Sequence, residues 1–104
     1  MKIMILKADG AVFHEDWPSV AYARLKMEVG GNIEYVRVWE GTRYITMVVN
    51  ETGLLDGLPR NQTATDLYLA NSRRRDPKYS PEGVYVAGNA VVIPIAIEQL
   101  QVVK

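Results

Sequence analysis

Apolar and polar positions alternate with period two over Ile33–Trp39 and again over Arg43–Val49, with Glu40-Gly41-Thr42 between them. Two such runs joined by a short Gly-containing connection predict an antiparallel β-hairpin. On the first strand Ile33, Tyr35, Arg37 and Trp39 share a face; on the second, Arg43, Ile45, Met47 and Val49 do. Neither face of the hairpin is purely polar. One face is therefore expected under helices and the other partly covered, with a second protomer as one possible cover. Lys2–Lys7 predicts a first strand stopped by Asp9-Gly10, followed by a loop carrying Phe13, His14 and Glu15. Val84–Ala87 and Ala90–Ile93 predict two further strands joined through Gly88-Asn89, and Ile95–Val103 is expected to finish as a short helix or a strand, with a strand from Gln99 favoured.

The period changes to that of a helix over Ser19–Val29. Tyr22, Leu25 and Val29 form one stripe, with Asp16 as candidate N-cap, Pro18 in the first turn and Gly30-Gly31 as the stop. Asn61 or Thr63 can cap a second helix whose buried side carries Ala64, Leu67 and Tyr68. Asn50-Glu51-Thr52-Gly53 reads as a turn in which Asn starts the reversal and Gly supplies positive φ. Asn71–Pro81 reads as a polar, basic loop bounded by proline. Together these elements predict an α+β fold: a mainly antiparallel sheet of about five strands with two helices packed on it, as a single domain over residues 1–104.

Composition narrows the chemistry. Twelve Lys plus Arg balance twelve Asp plus Glu, for a net charge of zero, so a general polyanion binder is not expected. There is no cysteine and only one histidine. Disulfides, thiol nucleophiles and Cys- or multi-His metal sites are thereby excluded. The apolar run Ile3–Leu6 is too short for a secretory h-region, and no run approaches the length of a membrane span, so a cytoplasmic protein is expected. A modest core of this size points to a homo-oligomer. No metal or cofactor is expected.

Charge is unevenly distributed. Residues 60–78 hold Arg60, Arg73, Arg74, Arg75 and Lys78 against Asp66 and Asp76, a local +3. Clustered arginines grip phosphate through paired N–H donors, and the flanking Tyr68 and Tyr79 offer faces for a base. The same run is also what a solvated loop after a helix looks like. Gly57-Leu58-Pro59-Arg60-Asn61 precedes the second helix, and a glycine with free N–H groups at a helix start can hold an anion, with Thr65 one turn on; its other reading is a tight loop with Asn61 as cap. Trp39, Tyr35 and Tyr44 gather on the hairpin as core, interface or a stacking pocket. Val29-Gly30-Gly31 lacks the phosphate-loop spacing and reads as a helix stop. His14-Glu15-Asp16 has acid–base groups, but neighbours in an extended chain point apart.

Four segments resemble one family. Val29–Val36 is similar to its opening VGGxIExV, Met47–Gly53 to hxVNExG, Gly57–Thr65 to GLPxNxxAT, and Val86–Ile93 to hxGxxVhh. The chain thus resembles the small uncharacterised domain-of-unknown-function 3846 family over about residues 25–93, with a longer stretch between Leu67 and Val84 that contains the arginines. The family occurs in bacteriophages, plasmids and some bacteria and carries no established catalytic activity. The resemblance implies a setting in which small proteins act by binding. The leading expectation is a non-enzymatic phage-type anti-defence protein that sequesters a phosphorylated small molecule, such as a nucleotide immune signal, in the host bacterial cytoplasm. Arg60, Asn61 and Thr65 would hold phosphate, Arg73, Arg74 and Arg75 would add charge, and Tyr68, Tyr79 or Trp39 would stack. The alternatives are an inhibitor or regulator that binds a host protein through its hairpin surface, and a nucleic-acid-binding accessory protein.

Overall fold

In a computed structural model the chain is described over residues 1–76, 78 and 83–104, the side chains of Asn71 and Arg75 excepted. Strands β1 (Lys2–Leu6), β2 (Val12–Asp16), β4 (Ile33–Trp39), β5 (Tyr44–Asn50) and β6 (Ala90–Ile93) form one antiparallel sheet in the order β2-β1-β6-β5-β4. A two-residue strand β3 (Val20–Ala21) leads into helix α1 (Tyr22–Val29) and pairs in parallel with β7 (Val102–Val103). Helix α2 (Gln62–Arg75) connects β5 to β6.

The predicted hairpin is present, with Val36 opposite Met47 and Trp39 opposite Tyr44. Its two faces feed two separate cores, one on each side of the sheet. Ile3, Ile5, Val48, Val91 and Ile93 point to the side of α1, where Leu25, Val29, Trp17 and Val20 close over them. Leu6, Val38, Ile45, Met47, Val49 and Val92 point to the other side, where Ala64, Leu67 and Tyr68 of α2 pack. Each face is thus covered by one helix of the same chain. The expectation of helices on one face and partial cover on the other gives way to this arrangement, because the β2-to-β4 connection crosses one face and the β5-to-β6 connection the other.

Several local expectations are corrected by long-range pairing. Phe13, His14 and Glu15 are in strand β2 rather than a loop, held by β1 from Lys2↔Asp16 to Leu6↔Val12. Asp16 therefore ends a strand instead of capping a helix. Its carboxylate takes the N-terminal ammonium at 2.8 Å, and that hydrogen bond and charge hold its pKa below the usual value. The first helix starts later, at Tyr22 after Ala21, because Val20 and Ala21 are extended against β7. Its stop is as expected: Gly30 is left-handed at φ 78° and donates its N–H to Lys26 O. Of the stripe, Leu25 and Val29 are buried while Tyr22 stays exposed.

Val84–Ala87 forms no strand. The N–H of Val86 goes to Thr65 Oγ1, its carbonyl accepts from the Asn61 N–H, and Ala87 makes one isolated bridge to Arg60. The chain's end is a 3-10 turn at Ile97–Gln99 followed by β7, not a strand from Gln99. Helix α2 runs through Arg75, so the first part of the expected basic loop is helical; it ends where Asp76 precedes Pro77, a position biased against helix.

The Asn50 turn also differs in its cause. Asn50 Oδ1 accepts the Thr52 N–H at 3.0 Å, as expected of an Asx turn. Gly53, however, is not in the positive-φ region. A Cβ there would lie 2.4 Å from the backbone oxygen of Ala87, so the glycine is required by close approach. Gly53→Ala is expected to destabilise the protein by about 1–3 kcal/mol, read as a lower urea midpoint at unchanged m-value.

Half-buried Tyr35 lies against the α1 core. Burial, with a smaller contribution from Tyr22, raises its pKa above the ordinary 10.0. The folded state therefore holds the phenolic proton more tightly than the unfolded state. The resulting stability is complete below the unfolded value and is lost as pH rises through the folded value. Urea unfolding is expected to show stability falling as pH rises above 10.0, with a shallower fall in Tyr35→Phe.

Candidate functional site

The start of α2 is built around Asn61, which is 1% exposed. Its Oδ1 accepts the Ala64 N–H at 3.1 Å as the helix N-cap. Its Nδ2 donates to the carbonyls of Leu6 and Gly88, each at 2.9 Å. Thr65, fully buried, donates its hydroxyl to Asn61 O at 2.7 Å and accepts the Val86 N–H at 2.9 Å. Both side chains are fully engaged inside the protein and present nothing to a phosphate. The expected phosphate-holding role of Asn61 and Thr65 is corrected on this ground: they join the end of β1, the start of α2 and the segment before β6. Arg60 is exposed beside them, but it stacks over Tyr85 at 5.0 Å and donates through Nε to Gln62.

At the far end of α2 the picture is different. Trp39 and Tyr44, paired across the end of the hairpin, meet edge to face with ring centroids 5.0 Å apart. The Arg74 guanidinium lies 3.8 Å from the centre of the Trp39 ring and donates to Tyr44 Oη at 3.1 Å. Arg37 stands over the Tyr44 ring and is ion-paired with Glu98. Among the described residues Arg74 has no carboxylate partner. A guanidinium stacked on an indole keeps its edge N–H groups available for an anion, and the stack holds them in one plane. Arg73 is exposed on the last turn of α2. Arg75 belongs to the helix but its side chain lies outside the description, and Tyr79 lies outside the described residues.

The third feature is a cleft of about 160 Å³ between α2, the open end of the hairpin and the segment before β6. Tyr68 and Tyr85 line it together with Val36, Val49, Glu34 and Glu51. Tyr68 is thus separated from the arginines with which the sequence groups it. Sequence reasoning also missed Tyr85, Arg37 and Glu34 as site residues. The hairpin register does put Arg37 and Trp39 on one face opposite Tyr44, so that part of the cluster had a signal. Tyr85 had none, because its position depends on Val86 being tied to Thr65.

His14 is exposed on the edge strand β2, opposite Met4. Glu15 instead accepts from Trp17 Nε1 at 2.9 Å and from Arg24 at 2.8 Å. Among the described residues no group of His, Asp and Glu is arranged to hold a metal ion. No helix among them is long and apolar enough to cross a membrane.

These features define a small α+β protein: a five-stranded antiparallel sheet with one helix on each face and a cation–aromatic cluster where α2 meets the hairpin. The chain belongs to the family described as a domain of unknown function, DUF3846, whose model matches residues 1–99. The match extends the resemblance to nearly the whole chain, so β1, β2 and α1 are part of the family's domain. No curated protein and no solved structure matches the chain.

Because Asn61 serves the fold, Asn61→Ala is expected to lower stability by about 2–4 kcal/mol, from the lost cap and two orphaned buried carbonyls. Thr63→Ala, at an exposed neighbour, is expected to change it by less than about 0.5 kcal/mol. Urea denaturation of the two variants makes the comparison.

Proposed function

We propose that this protein acts by binding and not by catalysis, as a phage-type anti-defence protein that sequesters a phosphorylated small molecule such as a nucleotide immune signal. The observation that carries this reading is Arg74, stacked on Trp39, hydrogen-bonded to Tyr44 and without a carboxylate partner among the described residues. The guanidinium edge forks to phosphate oxygens while the half-exposed Trp39 and Tyr44 rings offer apolar faces to a base. The whole chain is neutral, so capture relies on contact geometry more than on long-range attraction. On this reading the protein works in the cytoplasm of a host bacterium, as a homo-oligomer that can wrap its ligand.

The same surface supports a second reading, an inhibitor that binds a host protein. Trp, Tyr and Arg dominate interface hot spots, and β4 is at the edge of the sheet. A nucleic-acid-binding role shares the arginines and would show a steep salt dependence.

Titration with cyclic di- and oligonucleotides and ADP-ribose derivatives, followed by thermal stability and tryptophan fluorescence, separates these readings. A ligand at 100-fold its Kd is expected to add about 2.7 kcal/mol. Arg74→Ala is expected to weaken it about tenfold or more, as a charge-assisted contact is lost. If no member of the panel shifts the protein, sequestration of such a signal is wrong; recovery of a host protein that Trp39→Ala abolishes would favour the inhibitor.

A further inference from the structure

The cleft beside Tyr68 and Tyr85 has the opposite polarity to the hairpin end. Glu34 of β4 and Glu51, just beyond β5, both line it. The register makes them diagonal neighbours: Glu34 stands opposite Val49, and the Glu51 N–H donates to Asn32 O at 2.9 Å. Like charges placed this way across two strands repel. Elsewhere the described acidic side chains are matched. Arg24 serves Glu15 and Glu28, Arg43 serves Glu40, Arg37 serves Glu98, and the N-terminal ammonium serves Asp16. Asp9, Asp56, Asp66 and Asp76 each accept a hydrogen bond. Of the described acidic side chains, only Glu34 and Glu51, both exposed, have no partner of either kind, and they line the same cleft.

The remaining walls specify what would match them. Val36 and Val49 give an apolar floor, and Tyr68 and Tyr85 add aromatic rings. A methylene chain suits the floor, and a cation suits the carboxylates and the Tyr68 ring, the Tyr85 ring already carrying Arg60 at 5.0 Å on one face. An anion would meet two uncompensated negative charges. At about 160 Å³ the cleft is below the range of pockets for drug-sized ligands and matches a group the size of one side chain.

We propose that this cleft binds a primary alkylammonium group carried on an aliphatic chain of about four carbons. Glu34 and Glu51 hold the ammonium, and Val36, Val49 and the two tyrosines pack against the chain. The group comes either from a lysine side chain of a partner protein or from a free aliphatic diamine. This site is separate from the Trp39–Arg74 cluster, so either proposal can fail without the other.

The test is an NMR titration of the full chain with butylammonium, 1,4-diaminobutane and Nα-acetyl-lysine methylamide, with butanol and butyrate at matched ionic strength as controls. The ammonium probes are expected to give saturable shifts at Glu34, Val36, Glu51, Tyr68 and Tyr85. Butanol is expected to bind at least about tenfold more weakly and butyrate not at all. The double variant Glu34→Gln/Glu51→Gln is expected to weaken ammonium binding about tenfold, while its unliganded thermal midpoint stays the same or rises as the repulsion is removed. Tighter binding of the lysine derivative assigns the site to a protein's lysine; tighter binding of the diamine assigns it to the free amine. The proposal is overturned by absence of saturable shifts with every ammonium probe, by an equal response to butanol, or by undiminished binding to the double variant. A lower unliganded midpoint in the double variant also overturns it, since the carboxylates would then already have partners within the protein.

Discussion

The structure depends on one buried amide. Asn61 donates to the last carbonyl of β1 and to the Gly88 carbonyl, two residues before β6, while its oxygen caps α2. These contacts link residues far apart in sequence at a point where three backbone segments would otherwise leave polar groups unpaired in the interior. Thr65, one turn on, adds the Val86 N–H to the same network. The position of α2 follows from it. The helix has few strongly apolar side chains, so its packing on the sheet is weakly specified by burial alone, and the hydrogen bonds at its start set its direction. Tyr85 and Arg60 inherit their positions from the same contacts, and so does the wall of the cleft.

What the sequence made legible follows the range of the interactions involved. The hairpin was readable because its register depends on alternation and a short connection, both local. The Gly30 stop and the Asn61 cap were readable because each needs only a few neighbouring residues. β2 was not readable: Val12–Asp16 has no clear alternation, and it is a strand because β1 pairs with it. β3 likewise exists because β7 reaches it from the other end of the chain. The region before β6 misled in the opposite direction. Val84–Ala87 has strand composition, yet its backbone groups are taken by the α2 start, which leaves no ladder to join.

The candidate sites divide along the same line. Local chemistry correctly marked Asn61 as notable and could not say whether it faced a ligand or the core. The N-cap motif and an anion site share the same residues, and only burial separates them. Trp39 and Tyr44 could be paired from the register, whereas the approach of Arg74 required the length of α2. Because the helix continues through Arg75, Arg73 and Arg74 stand on successive helical positions and leave the helix in different directions. Arg74 is the one placed on the indole.

A net charge of zero therefore conceals a separation of charge along the hairpin. Glu34 and Glu51 stand at its open end beside Tyr68, while Arg74 sits on Trp39 and Tyr44 at its closed end. Glu34 is five strand residues from Trp39 and Glu51 is seven from Tyr44. At about 3.3 Å per residue the separation is roughly 16–23 Å, well beyond a Debye length at physiological salt. Charges at the two ends are thus largely screened from each other, and each end presents its own sign to whatever approaches it. The neutrality of the chain and the polarity of its surface are then two views of one arrangement, in which the hairpin holds the opposite charges apart.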